Sequence, residues 1–156
     1  MKSNLIVVGG ILLCASAVLA ETPAPAFVGT WKLDVAKSKY SPGPPPKSIV
    51  TRNEAVEGAL HHVTDGTDSK GKPFHEEFTA KFDGKDYPVK GSEPGETISL
   101  TKIDDYTTAW TVKVNGRVAA TGQTVYSRDG KLRTTTASGT TEKGDKFSNM
   151  TVFERQ

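Results

Sequence analysis

A single cysteine in 156 residues, Cys14, lies inside an apolar leader and leaves the body of the chain without a thiol. Disulfides, thiolate metal sites and cysteine nucleophiles are therefore excluded there. Helical periodicity is missing as well: from Ser48 onward, apolar residues do not recur at the i, i+3, i+4 spacing of an amphipathic helix. An excess of charge of one sign is also absent. Removing Lys2 with the leader from the 20 basic residues leaves one more base than the 18 acids, which offers nucleic acid no electrostatic hold. The one long apolar run, Leu5 to Leu19, is broken by Gly9 and Gly10 and falls short of the ~20 apolar residues of a spanning helix. No Gly-x-Ser-x-Gly elbow is present, and the serines are scattered over turns.

What stands at the front is an export signal. Met1-Lys2 supplies the positive end and Val18-Leu19-Ala20 the small-residue pattern read by signal peptidase, so cleavage is expected after Ala20. Leu12-Leu13 precede Cys14, whereas a lipid-modified bacterial cysteine follows a small residue, so lipidation is not expected. An exported chain without disulfides points to the periplasm or to secretion by a bacterium, with stability from the core alone. The expected organisation is a signal over 1–20, a mobile Pro/Ala-rich lead over 21–26, and one domain over 27–156. A chain of this size buries about 68–70% of its unfolded surface, enough for a real core.

Short Thr-, Val- and aromatic-rich runs alternate with turn signals along the whole domain. They predict strands near Phe27–Leu33, Ser48–Glu54, Ala59–Thr64, Phe74–Phe82, Tyr87–Lys90, Thr97–Ile103, Tyr106–Val114, Val118–Ser127, Lys131–Ala137 and Phe147–Glu154. Asp34 to Lys39 is expected to make one helical turn, and Ser41-Pro42-Gly43-Pro44-Pro45-Pro46 a stiff extended connector. Asn115-Gly116 is the strongest hairpin signal, since both residues tolerate positive φ, and Asp83-Gly84 and Asp129-Gly130 behave similarly. Period-two alternation puts Phe74, Phe78, Ala80 and Phe82 on one face, and Trp110, Val112 and Val114 on another. With no helix to cover the sheet, curling it closed is the economical way to bury one face and remove the edges. The fold class expected is all-β: one antiparallel up-and-down barrel of about 8–10 strands.

The segment Phe27-Val28-Gly29-Thr30-Trp31-Lys32-Leu33 resembles the opening strand of the intracellular fatty-acid-binding proteins, and Gly29-x-Trp31 is similar to the first signature of the lipocalins. Val152-Phe153-Glu154-Arg155 resembles the last strand of such barrels. The resemblance implies a calycin-type barrel in which Arg155 covers Trp31 beside Gly29, a cation–π contact worth ~0.5–2 kcal/mol. The proline run Pro42 to Pro46 leaves no room for the two-helix lid of fatty-acid-binding proteins. The whole resembles the secreted, lipocalin-like proteins of bacteria.

Polar residues on apolar faces carry the functional signal, because burying an unpaired polar group costs ~1–3 kcal/mol. His62 shares a face with Leu60 and Thr64, Glu76 lies between Phe74 and Phe78, Lys102 follows Ile98 and Leu100, and Asn149 sits between Phe147 and Thr151. Converging in one cavity, they would orient the polar end of an apolar ligand walled by Phe78, Phe82, Trp110 and Tyr126. In the competing reading the barrel is solid and Glu76 pairs with Lys102. His61 and His62 are adjacent on a strand and point to opposite faces, and His75-Glu76-Glu77 lacks the second histidine of a metalloprotease helix, so no metal and no cofactor are expected. Asp104-Asp105 and Glu76-Glu77 likewise face apart and make no acid/base pair, so no enzyme is expected. The function expected is a monomeric periplasmic or secreted protein that holds a small hydrophobic, lipid-like or fatty-acid-like molecule, without nucleic-acid partners or lasting membrane insertion. The alternative is an interaction module or protease inhibitor working through its surface, with the lead and the proline loop as contacts.

Overall fold

A computed structural model of the protein describes residues 22–141 and 143–156. The signal read over 1–20, with Cys14, lies outside the described residues. Ten antiparallel strands follow one another: β1 (Gly29–Ser41), β2 (Ser48–Val56), β3 (Ala59–Thr67), β4 (Pro73–Ala80), β5 (Tyr87–Pro88), β6 (Glu96–Asp104), β7 (Thr107–Val114), β8 (Arg117–Tyr126), β9 (Leu132–Thr140) and β10 (Lys146–Arg155). They form one sheet in the order β4-β3-β2-β1-β10-β9-β8-β7-β6-β5. Apart from β4 and β5, sequence neighbours are sheet neighbours, several of them joined by tight hairpins; Asn115 and Gly116 both take positive φ at the β7–β8 turn. β1 pairs with β10, placing Trp31 opposite Arg155. The two edges of the sheet meet where Glu77 of β4 bridges Lys90, two residues beyond β5. The result is an all-β, nearly closed, up-and-down barrel, compatible with a calycin or lipocalin-like fold.

One end of the barrel is filled. Phe27 and Trp31 are fully buried, and Tyr126 is packed against both, with ring centroids 5.0 Å and 5.3 Å away. Phe82 stands 5.6 Å from Phe27, and Leu60 and Ala80 complete the cluster. Arg155 closes it from outside. Its guanidinium lies 4.4 Å from the Trp31 ring, while its Nε–H donates to the Gly130 carbonyl at 2.7 Å. Gly29 is needed here for two reasons: its φ is +137°, and a Cβ would come within 2.5 Å of the Arg155 Nη1.

Two local expectations are corrected. Asp34 to Lys39 is not a helical turn but a bulge within β1, since Asp34 pairs with Val152 and Lys39 already with Met150. The Ser38 hydroxyl donates to the Asp34 carbonyl at 2.6 Å and accepts the Val152 N–H at 2.9 Å. A serine that serves both strands lets the β10 ladder continue across the extra residues, and this outweighs a nucleus of one turn. The lead expected to be mobile is packed in its described part: Pro23 and Ala24 are buried and Pro25–Phe27 forms a 3-10 turn. Ala24 is small enough to follow Phe27 into the barrel end. Strand limits also shift: β4 stops at Ala80 and β5 ends at Pro88, with one further backbone bond to β6 from the Val89 N–H to the Glu96 carbonyl at 3.1 Å.

Candidate functional site

Above the filled end the barrel holds a half-open cavity of about 400 Å³ lined by inward residues of every long strand except β1. That volume lies within the range of small-molecule sites. Its wall is partly apolar, with Leu60, Phe78, Ile98, Leu100, Trp110 and Val112. Gly122, directly opposite Trp110 on β8, leaves the space in which the indole lies, because a Cβ there would collide with Trp110 Cζ2.

The floor is polar and tightly wired. The Asn53 side-chain amide donates to the Phe27 carbonyl at 2.8 Å and to the Tyr126 hydroxyl at 3.2 Å. Its Oδ1 is therefore an acceptor, so the His62 Nδ1, 2.6 Å away, carries the proton. The His62 Nε2 then accepts the Thr64 hydroxyl at 2.8 Å. The ring stacks on Phe78 with centroids 4.8 Å apart. Burial, helped by the positive charge of Arg133, pushes the His62 pKa down to about 3, so the imidazole is neutral.

Arg133 is the unusual group on this floor. Its side chain is buried, between the Phe153 ring at 3.9 Å and the Trp31 ring at 5.9 Å. Nη1 donates to Thr51 Oγ1 at 2.7 Å, and Nε is buried without a partner. Among the described residues no carboxylate makes a salt bridge with it. The Tyr126 oxygen accepts from the Asn53 amide and from the Arg133 guanidinium, so its own proton faces further donors. Donors thus exceed acceptors at the bottom of the cavity.

The rim has the opposite character. Glu76 on β4 and Glu96 at the start of β6 both line the cavity. Burial raises the pKa of each, and the negative charge of Glu76 raises that of Glu96 further. Among the described residues no salt bridge reaches either one.

Of the residues proposed from sequence, His62, Glu76, Phe78, Trp110 and Tyr126 line this one cavity. Three do not. Phe82 belongs to the filled end. Lys102 pairs with Asp105 at 2.7 Å, within its own turn, where the solid-barrel reading put it against Glu76. Asn149 accepts the Ser41 N–H at 3.2 Å and lines a separate open groove with Lys39 and Thr136. Lys102 and Asn149 both sit at positions of correct parity, but parity says nothing of where along a tilted strand a side chain lies. Sequence reasoning missed Asn53, Glu96 and Arg133. For Arg133 the signal was reversed: apolar Leu132 faces out, while Arg133 shares the inward face with Thr135 and Ala137. Only tracing parity from Ala137 back along β9 would have found it.

No protein-family model and no curated protein matches this chain. Among the described residues, His, Asp and Glu nowhere gather in a group of three or more able to hold a metal.

Proposed function

We propose that the protein is an exported, lipocalin-like carrier that holds a small, mostly apolar molecule in the barrel, with a hydrogen-bond-accepting or acidic group of that molecule at Arg133. The observation that carries this is a buried guanidinium in the lining of the cavity, without a carboxylate partner and with an Nε that lacks an acceptor. Burying a cation without a counter-charge is expensive, and a ligand carboxylate or carbonyl would supply both the charge balance and the missing acceptor. The Gly29–Trp31–Arg155 closure supports placing the fold beside the calycins. A monomer goes with this reading, the two outermost edges of the sheet being turned toward each other at the Glu77–Lys90 bridge. Binding rather than catalysis is favoured because both nitrogens of His62 are occupied and the ring resists protonation. The surface-inhibitor alternative loses its main support, since Pro23 and Ala24 of the supposed protruding lead are buried.

Titration with medium-chain fatty acids, followed by calorimetry and by tryptophan emission in a Trp31→Phe background, tests the reading. Trp110 lines the cavity and should report saturably. Arg133→Met should weaken binding about tenfold or more, the value of one charge-assisted hydrogen bond. Wild-type protein that shows no saturable response to fatty acids, fatty alcohols or aliphatic amines would overturn it.

A further inference from the structure

We infer that the ligand carries a positive charge at its outer end, so that the barrel takes a molecule with an acceptor group at the floor, an apolar middle, and an amine-like cation between Glu76 and Glu96 at the rim. This rests on the lumen being the binding site and goes further by specifying the second head group. The two ends of one cavity present opposite and unbalanced charge. At the floor stands Arg133, buried and with an unpartnered Nε. At the rim stand Glu76 and Glu96, both facing the same space.

Basic side chains near the rim are engaged with other acids. Lys90 bonds Glu77 at 2.9 Å, Lys113 bonds Asp86 at 2.8 Å, and His75 bonds Asp65 at 2.7 Å. Period two explains why: His75 and Glu77 point outward from β4, whereas Glu76 between them points in. A plain fatty acid would satisfy Arg133 and leave two partly desolvated carboxylates beside its methyl end. A cation there turns that repulsion into attraction, and the long apolar wall from Phe78 to Val112 spaces the two heads. Glu96 also follows directly on the loop ending at Gly95, whose carbonyl accepts the Asn115 N–H at 3.1 Å, so this carboxylate is set on a braced edge.

The experiment compares octanoate, octylamine and ω-aminooctanoate, with the dodecyl series alongside to cover the span, on the full-length mature protein by calorimetry at neutral pH and low salt. The ω-amino acid of the better-fitting length should bind about tenfold more tightly than the plain acid. In Glu76→Gln/Glu96→Gln that preference should vanish while the plain acid binds as well as before or better; circular dichroism checks that the variant is folded. Saturable binding of the plain acid that equals or exceeds that of the ω-amino acid in the wild type overturns the cationic head group and leaves the carrier reading intact. A preference that survives the double substitution overturns the assignment to Glu76 and Glu96. Absence of binding by every probe overturns both readings together.

Discussion

The filled end and the rim of this barrel solve the problem of buried polarity in opposite ways. At the filled end, rings meet rings, and the amide of Asn53 is matched to Phe27, Tyr126 and His62. Little there is left for an outside molecule to complete. Toward the rim, Glu76 and Glu96 keep partly buried charge without a cation, and Arg133, at the junction of the two regions, keeps a donor without an acceptor. The two arginines near Trp31 make the contrast concrete. Arg155 lies outside, closes the first strand onto the last, and is bonded to backbone carbonyls. Arg133 lies inside, donates to Thr51 across the barrel, and keeps an Nε without a partner. The filled end keeps one buried polar atom without a partner, Trp31 Nε1, under the Arg155 guanidinium; Arg133, Glu76 and Glu96 differ from it in lining the cavity.

If this division is right, substitutions at the filled end should cost stability, and those facing the cavity should cost binding instead. Trp31→Ala should cause the largest loss, about 3–5 kcal/mol by urea unfolding, because it empties a fully buried ring site under Arg155. Acid should come next. The unfolded histidine titrates at 6.5 and the folded His62 at about 3, so the unfolded chain takes the proton first. Stability from this group is full above the higher value and is lost as pH falls toward the lower, by an amount on the order of a few kcal/mol. His62→Gln should flatten that part of the pH–stability curve, and an unchanged slope would show that the exposed carboxylates dominate acid unfolding. Asn53→Ala should cost about 1–3 kcal/mol, since it strands the Phe27 carbonyl and the His62 N–H. Arg133→Met should leave stability unchanged or raise it by about 1 kcal/mol while weakening binding. A large destabilisation would move Arg133 to the structural side of the comparison. Glu76→Gln should change stability least, within about 0.5 kcal/mol, because its carboxylate makes no salt bridge that the amide would lose.

Most of the architecture was legible because period two and turn chemistry are local. Asn115-Gly116, the Phe74–Phe82 alternation and the Gly29-x-Trp31 opening each specify structure within a few residues. Four partners of the site's wall and floor were legible for the same reason: His62, Phe78, Trp110 and Tyr126 show the parity of neighbouring apolar residues. The bulge at Asp34–Lys39 was not, because it depends on Ser38 meeting a strand more than a hundred residues away. Arg133 was not, because hydropathy favours Leu132 as the buried neighbour and only closure of the sheet reverses the choice. Ala24 belongs by composition to a mobile lead, and only the end of the barrel gives it a place.

The join between β4 and β5 differs from every other in the ring. Ladders several residues long fasten the remaining long strands to one another, whereas here a single pair of backbone positions, Glu77 and Lys90, is reinforced by their own side chains. A hoop yields first at its weakest stave. The amides of Tyr87, Val89 and Lys90 should therefore exchange with solvent sooner than those of β9 or β10, and on the carrier reading a ligand would enter by momentary parting of this seam, with the filled end never needing to open.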